Sequence, residues 1–110
     1  MLRGRILEAL GDPDTPKILL SIRRLSKSAQ VLSDETTIPL SSIYRKMATL
    51  RSAGLVHVRS YEITSEGKRQ DLFLSSVTEV RVGMGNDGVE LELIPTEESA
   101  SRIWFELFSR

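Results

Sequence analysis

The sequence contains no cysteine and a single histidine, His57. The chain therefore forms no disulfide, and a zinc site built from cysteine and histidine has too few ligands. A thiol-based redox switch is excluded for the same reason. The composition suits the reducing cytoplasm, where we expect the protein to act, and it predicts neither a metal nor a cofactor.

Long hydrophobic runs are also absent. No stretch approaches the roughly 18 apolar residues that a membrane-spanning helix requires. The apolar start of the chain is interrupted at Glu8 and at Gly11-Asp12, so it does not resemble a secretion signal. We therefore expect no membrane partner. With 110 residues, of which 40% are apolar, the chain is long enough for one modest core.

The sequence has no surplus of either charge, since 15 basic and 15 acidic residues cancel. Taken alone, this balance argues against a nucleic-acid partner. The charges are unevenly distributed, however. Residues 1–75 hold 12 basic and 8 acidic residues, a net charge of +4, whereas residues 76–110 hold 3 and 7, a net charge of −4. We interpret this as two functions in one chain, a basic binding surface and an acidic end.

Apolar residues at helical spacing predict three helices before residue 37. The first covers residues 2–10. The second opens at Thr15-Pro16, a favourable N-cap and first helical position, and carries Arg23, Arg24 and Lys27 near its end. The third is short, is capped by Ser28, and gives way to a polar turn at residues 34–37.

A fourth helix and a hairpin follow. Ile43, Met47 and Leu50 share one helical face, and Gly54 closes the helix. Two runs of β-forming residues then flank a polar turn at residues 65–69. The order is that of a helix-turn-helix followed by a wing. In this arrangement one helix enters the major groove of DNA, a neighbouring helix braces it, and the wing contacts the adjacent minor groove or the backbone.

The last third of the chain predicts a second hairpin and a terminal helix. Its turn, Gly83–Gly88, lacks the Lys-Ser/Thr ending of a phosphate-binding loop, so we reject that function for it. Residues 89–93 alternate apolar side chains with glutamates, which predicts one buried face. After Thr96, a terminal helix is expected to carry one apolar stripe: Ala100, Ile103, Trp104, Leu107 and Phe108.

Two motifs resemble the ArsR-like winged-helix repressors. Leu10-Gly11-Asp12-Pro13 is similar to the signature that precedes a helix in that family. The segment Ile38–Val56 is similar to the family's recognition helix and its Leu-Arg-x-Ala-Gly-Leu-Val exit into the wing. The similarity covers residues 5–75. It implies a homodimer that binds a pseudo-palindromic operator and regulates transcription, as a repressor or as an activator.

The chain departs from the family pattern in several places. Residues 29–33 carry no ligand where metal-sensing members have Cys-x-Cys, so thiolate metal sensing is not expected. Pro39 stands at the usual N-cap serine of the recognition helix. Thr37 stands at the usual turn glycine, so we expect a turn that is longer or differently shaped. The hairpin at residues 77–93 is additional to the minimal fold, an embellishment common among archaeal winged-helix regulators.

The sequence therefore predicts an α+β fold: a winged helix-turn-helix over residues 1–75, extended by a β-hairpin and a C-terminal helix over residues 76–110 that serve dimerisation. No catalytic constellation is present, and we do not expect an enzyme. The residues expected to contact double-stranded DNA are Ser41, Ser42, Tyr44, Arg45, Lys46, Thr49, Arg59, Lys68 and Arg69. The expected dimer interface comprises Leu2, Ile6, Leu10, Ile103, Trp104, Leu107 and Phe108.

Other interpretations stay open at this stage. Ser41 and Ser42 are equally suited to cap the helix, and Tyr44 is suited either to stack on a sugar or to pack on the wing. Trp104 and Phe108 are alternatively the lining of a pocket for a small-molecule effector of unknown identity. The zero net charge and the acidic end keep a second function open, a winged-helix module that binds proteins in a transcription or chromatin assembly.

Overall fold

A computed structural model describes residues 2–97 of the chain. Over these residues the fold is mixed α+β, with four helices and two separate two-stranded antiparallel sheets. The elements are α1 (Leu2–Leu10), α2 (Asp14–Ser21), α3 (Ala29–Thr36), α4 (Leu40–Ser52), β1 (Val56–Ile63), β2 (Arg69–Ser75), β3 (Val77–Gly85) and β4 (Gly88–Pro95). The chain divides into two compact units, the first ending at Ser75 and the second beginning at Ser76.

The first helix has its predicted bounds, whereas the second begins earlier than predicted. α2 starts at Asp14 because the Asp12 carboxylate accepts a hydrogen bond from the Asp14 backbone N–H (2.9 Å). This bond gives a partner to one of the N–H groups in the first turn, which have none within the helix. Thr15 is therefore not the N-cap. It is buried inside the helix, and its hydroxyl donates to the Ala9 carbonyl oxygen at 2.6 Å, which ties α2 to α1.

The second helix also ends earlier than predicted, at Ser21. The expected continuation through Arg23, Arg24 and Lys27 was wrong because the chain turns to an extended conformation and joins the first sheet. Lys27 exchanges two backbone hydrogen bonds with Phe73 of β2 (3.0 and 2.8 Å). A bridge of a single residue has no periodicity, so the sequence pattern does not reveal it.

The turn between α3 and α4 contains an unusual backbone conformation. α3 begins as predicted, with the Ser28 hydroxyl accepting from the Val31 N–H at 3.2 Å, but it continues to Thr36 through residues predicted as a turn. Thr37 then adopts φ +63°, the one positive φ of a non-glycine residue among residues 2–97. Thr37 itself takes the left-handed conformation for which a helix end normally uses glycine.

The fourth helix confirms its prediction at both its buried face and its end. Ile43, Met47 and Leu50 are 0–1% exposed. Gly54 has φ +76° and donates its N–H to the Arg51 carbonyl (3.0 Å), while the Leu55 N–H reaches back to the Leu50 carbonyl (2.9 Å). These two hydrogen bonds form a Schellman motif, and they redirect the chain from α4 into β1.

Both predicted hairpins are present. β1 pairs with β2 from Val56↔Ser75 to Ile63↔Arg69, with a β-bulge between Val58 and Ser60. β3 pairs with β4 from Val77↔Pro95 to Gly85↔Gly88. Within residues 2–97, no helix has the length and apolar character needed to cross a bilayer.

The conformation of Thr37 leads to a stability prediction. We expect Thr37→Gly to raise the free energy of unfolding by about 0.7 kcal/mol. A left-handed β-branched residue costs about 1–2 kcal/mol, and relief of that strain outweighs the extra entropy of glycine in the unfolded chain, about 0.5–1 kcal/mol. The control is Thr36→Gly, one residue earlier inside α3, which should be destabilising. Denaturant unfolding measures both, and a Thr37→Gly variant as unstable as Thr36→Gly would contradict the account.

Candidate nucleic-acid interface

The buried stripe of α4 decides which side chains the helix presents outward. α4 packs against α1, α3 and β1 through Ile43, Met47 and Leu50. Because these residues lie at i, i+4 and i+7, the opposite side of the helix stays accessible. The exposed residues of α4 are Ser41, Tyr44, Arg45, Ala48, Thr49, Arg51 and Ser52, while Ser42 and Lys46 are half-buried. No side chain caps the start of the helix, where Pro39 takes the N-cap position.

An open groove with a volume of about 320 Å³ lies between α4 and β2. Tyr44, Ala48 and Arg51, at i, i+4 and i+7, line its helical side. Arg69, Gln70 and Asp71 line its strand side, and the buried residues Ala29, Met47 and Phe73 complete it. The groove therefore has one guanidinium group on each wall, an arrangement suited to an extended anionic ligand.

The strand-side guanidinium is held in place by two neighbours. Arg69 Nε donates to Asp71 Oδ1 at 3.0 Å, and the guanidinium carbon lies 4.3 Å from the centroid of the Tyr61 ring. Tyr61 stands directly opposite Asp71 in the β1–β2 ladder, which brings the three side chains together. Such a cation–π contact is worth about 0.5–1 kcal/mol at an exposed site. Arg69 is thus oriented along the hairpin before any ligand arrives.

Lys46 occupies a different environment, although it neighbours Arg45 in sequence. Its ammonium group pairs with the Asp12 carboxylate and lies 3.3 Å from Asp14 Oδ2. The hydrogen bond to Asp12 raises the pKa of Lys46, and the same bond, with the Asp14 N–H, lowers the pKa of Asp12. The cluster joins α4 to the start of α2. We therefore assign Lys46 to bracing the helix, and its contact with DNA stays a prediction.

A second groove, of about 280 Å³, lies beside this cluster on α4. Arg45, Lys46 and Thr49 line it, together with Glu8 and Asp12. It has two carboxylates for its two cations, whereas the groove between α4 and β2 has one, Asp71, for two guanidinium groups. Because carboxylates repel phosphate, the second groove is the poorer phosphate site of the two.

The hairpin turn presents a further cation. Thr64 and Lys68 close the turn through a hydrogen bond between the Thr64 N–H and the Lys68 carbonyl (2.9 Å), and Gly67 supplies the required positive φ of +81°. The Lys68 side chain is exposed at this turn. Arg59 is also exposed and is the extra residue of the β1 bulge.

The nine predicted DNA-contacting residues are thus distributed over several surfaces. Tyr44 and Arg69 line the groove between α4 and β2, and Arg45, Lys46 and Thr49 line the second groove; neither includes Ser41, Ser42, Arg59 or Lys68. The DNA contacts predicted from the sequence did not include Arg51, Gln70 or Tyr61. Arg51 carried a usable signal, because it lies seven residues after Tyr44 on the same helical face. The positions of Gln70 and Tyr61 follow from strand pairing, which has no local signal.

The predicted dimer interface falls only partly within the described residues. Ile6 is 3% exposed and belongs to the core of the first unit, whereas Leu2 is exposed and Leu10 is half-buried. The other predicted interface residues lie outside the described part of the chain: Ile103, Trp104, Leu107 and Phe108. Between residues 2 and 97, no group of three or more side chains is arranged to hold a metal ion. His57 is half-buried in β1.

No protein-family model matches the chain, and no curated protein matches it either. The resemblance to ArsR-like repressors accordingly stays a prediction. What bears on function is the geometry of the exposed face of α4 and of the groove beside it.

The Lys46 cluster leads to a prediction about stability. We expect Lys46→Met to lower the free energy of unfolding by about 1 kcal/mol, since it leaves Asp12 without its cation and Asp14 with only the exposed Lys17. The matched control, Arg45→Met, should change it by less than about 0.5 kcal/mol because Arg45 is an exposed neighbour. Denaturant unfolding at pH 7 compares the two. Equal effects of both substitutions would contradict the bracing role.

The pKa shifts of Asp12 and Lys46 set the pH dependence of the stability difference between the wild type and Lys46→Met. The pKa of Asp12 is lowered in the folded chain. The stability that its ionised form contributes is therefore fully present above about pH 4, the unfolded pKa, and is lost as the pH falls through the folded pKa. The pKa of Lys46 is raised, so its contribution is complete below about pH 10 and disappears above the folded pKa. The stability difference between the wild type and Lys46→Met should be flat around neutrality and shrink in acid.

Proposed function

We propose that the chain is a DNA-binding transcriptional regulator whose residues 1–75 form a winged helix-turn-helix. In this proposal α4 is the recognition helix and the β1–β2 hairpin is the wing. The observation that carries it is the groove between α4 and β2, with Arg51 and Arg69 on its two walls. A nucleic-acid backbone is an extended anion, and guanidinium groups on two elements match its successive phosphates.

The dimensions and chemistry of α4 support this assignment. A helix of 13 residues is about 20 Å long, and the major groove, about 12 Å wide, admits one helix. The exposed residues of its first half, Ser41, Tyr44 and Arg45, have donors that suit base edges or phosphates. In this proposal Arg51, in its last turn, contacts the backbone together with Arg69 and Lys68 of the hairpin.

The charge distribution supports the same partner. The net charge of +4 is confined to residues 1–75. One domain of this size makes few phosphate contacts, so we propose that the protein acts as a homodimer on two half-sites about one helical turn apart. The resemblance to ArsR-like repressors also favours a homodimer.

Binding to duplex DNA at increasing salt tests the proposal. We expect the affinity for a labelled duplex, measured by fluorescence anisotropy, to fall linearly with the logarithm of the salt concentration. Arg51→Gln and Arg69→Gln should each weaken binding about 3- to 10-fold and reduce the salt slope by about 1. Arg3→Gln, an exposed cation of α1, is the matched control and should leave binding unchanged.

Two results would contradict the proposal. One is no duplex binding even at about 50 mM salt, where phosphate contacts are strongest. The other is binding that Arg51→Gln and Arg69→Gln affect no more than Arg3→Gln does. The first result would favour the alternative function, a winged-helix module that binds proteins.

A further inference from the structure

The β3–β4 hairpin has one strongly apolar face. Its ladder places Val80 opposite Leu93, Val82 opposite Leu91 and Met84 opposite Val89. Directly paired residues point to the same side of a sheet, and so do alternate residues along a strand. These six side chains therefore form a single face, which we call the hairpin apolar face. The opposite side carries mainly charged and small residues, with one apolar side chain, Ile94, near its Pro95 end: Glu79, Arg81, Gly83, Glu90 and Glu92.

The described residues leave much of the hairpin apolar face open. Met84 is 83% exposed, Val82 is 53% exposed and Leu93 is 37% exposed. A two-stranded hairpin is marginally stable in water unless its apolar face packs against another element. The alternating sequence pattern predicted a buried face, whereas the described residues leave the face exposed. A further element that covers the face would account for both observations.

The chain itself continues with a segment of matching character and length. β4 ends at Pro95, next to the Leu93 end of the face, and the apolar stripe begins five residues later, at Ala100. The face spans four residue steps along β4, about 13 Å. Residues 100–108, in the helical conformation that their spacing predicts, span about 12 Å. The connection of four residues, 96–99, has an ordinary length.

We infer that the hairpin apolar face is the docking surface for residues 100–108 of the same chain, which run antiparallel to β4. The short connection favours this occupant over a second copy. A segment tethered by so few residues has an effective concentration in the millimolar range, above that of a separate protein molecule in solution. The inference goes beyond the proposed function and does not rest on it. It gives Ile103, Trp104, Leu107 and Phe108 an intramolecular contact in place of the predicted dimer interface.

Cross-linking tests the inference directly, because the chain has no cysteine of its own. An antiparallel path places Leu107 near the Met84 end of the face. We expect the double variant Met84→Cys with Leu107→Cys to form a disulfide within one chain on mild oxidation. Under denaturing, non-reducing conditions the product should have the mass of one chain and should have lost both free thiols. The matched control is Gly83→Cys with Leu107→Cys, because Gly83 lies on the opposite side and has open space for a side chain.

The oxidation products show which segment covers the hairpin apolar face. A disulfide within the chain for the Met84 pair, well above the level of the Gly83 pair, supports the inference. Covalent dimers would show that the face belongs to a second copy and would overturn it. Equal oxidation of the two pairs would overturn it as well.

Fluorescence of Trp104, the one tryptophan of the chain, gives a second measurement that uses other variants. Docking predicts blue-shifted emission that does not change on dilution, and Met84→Lys should shift it to the red while Gly83→Lys should not. Emission that Met84→Lys leaves unchanged would overturn the inference. Both substitutions lie in the hairpin and not in residues 1–75, which carry the proposed DNA contacts. DNA binding by the wild type is therefore a separate measurement. Its absence, while the cross-link still forms, would count against the proposed function alone.

Discussion

The first unit depends on the burial of one face of α4. Ile43, Met47 and Leu50 are almost fully removed from solvent, and each such side chain contributes about 1.5–3 kcal/mol of burial. Their helical spacing fixes the rotation of α4 about its axis, so the polar outer face is a consequence of the apolar inner one. The ends of the helix are fixed as well, by the left-handed Thr37 before it and the Schellman motif at Gly54 after it. The accessible surface of the unit is therefore positioned by its core.

Electrostatics then gives neighbouring cations different roles. Lys46 pairs with Asp12 and Asp14 and joins two helices, whereas Arg45 is exposed one residue away. Arg69 is held by Asp71 and Tyr61 at the edge of the groove that also contains Arg51. A count of charges does not separate these cases. Burial does separate them, since the paired Lys46 side chain is 18% exposed and the paired Arg69 side chain is 63% exposed.

Local patterns were sufficient to predict α1, the buried face and end of α4, and both hairpins. These features have local signals, which lie within a few residues of each other: helical spacing, β alternation and turn glycines. The early end of α2 was not predictable in this way, because it depends on backbone pairing between Lys27 and Phe73, far apart in sequence. The Lys46–Asp12 pair and the contact of Arg69 with Tyr61 were missed for the same reason. The candidate groove is built from such distant pairings, and so only Tyr44 and Arg69 among its lining residues were foreseen.

We propose that the outer face of α4 and the neighbouring groove bind duplex DNA. At 12.3 kDa the chain is well suited to residue-resolved NMR. The most direct measurement is a titration of the labelled protein with a short duplex, followed by amide chemical shifts. If this proposal holds, the largest changes occur at residues 41–51 and 67–71, with little change at residues 77–95. Shifts confined to residues 77–95, or no shifts at low salt, would contradict it.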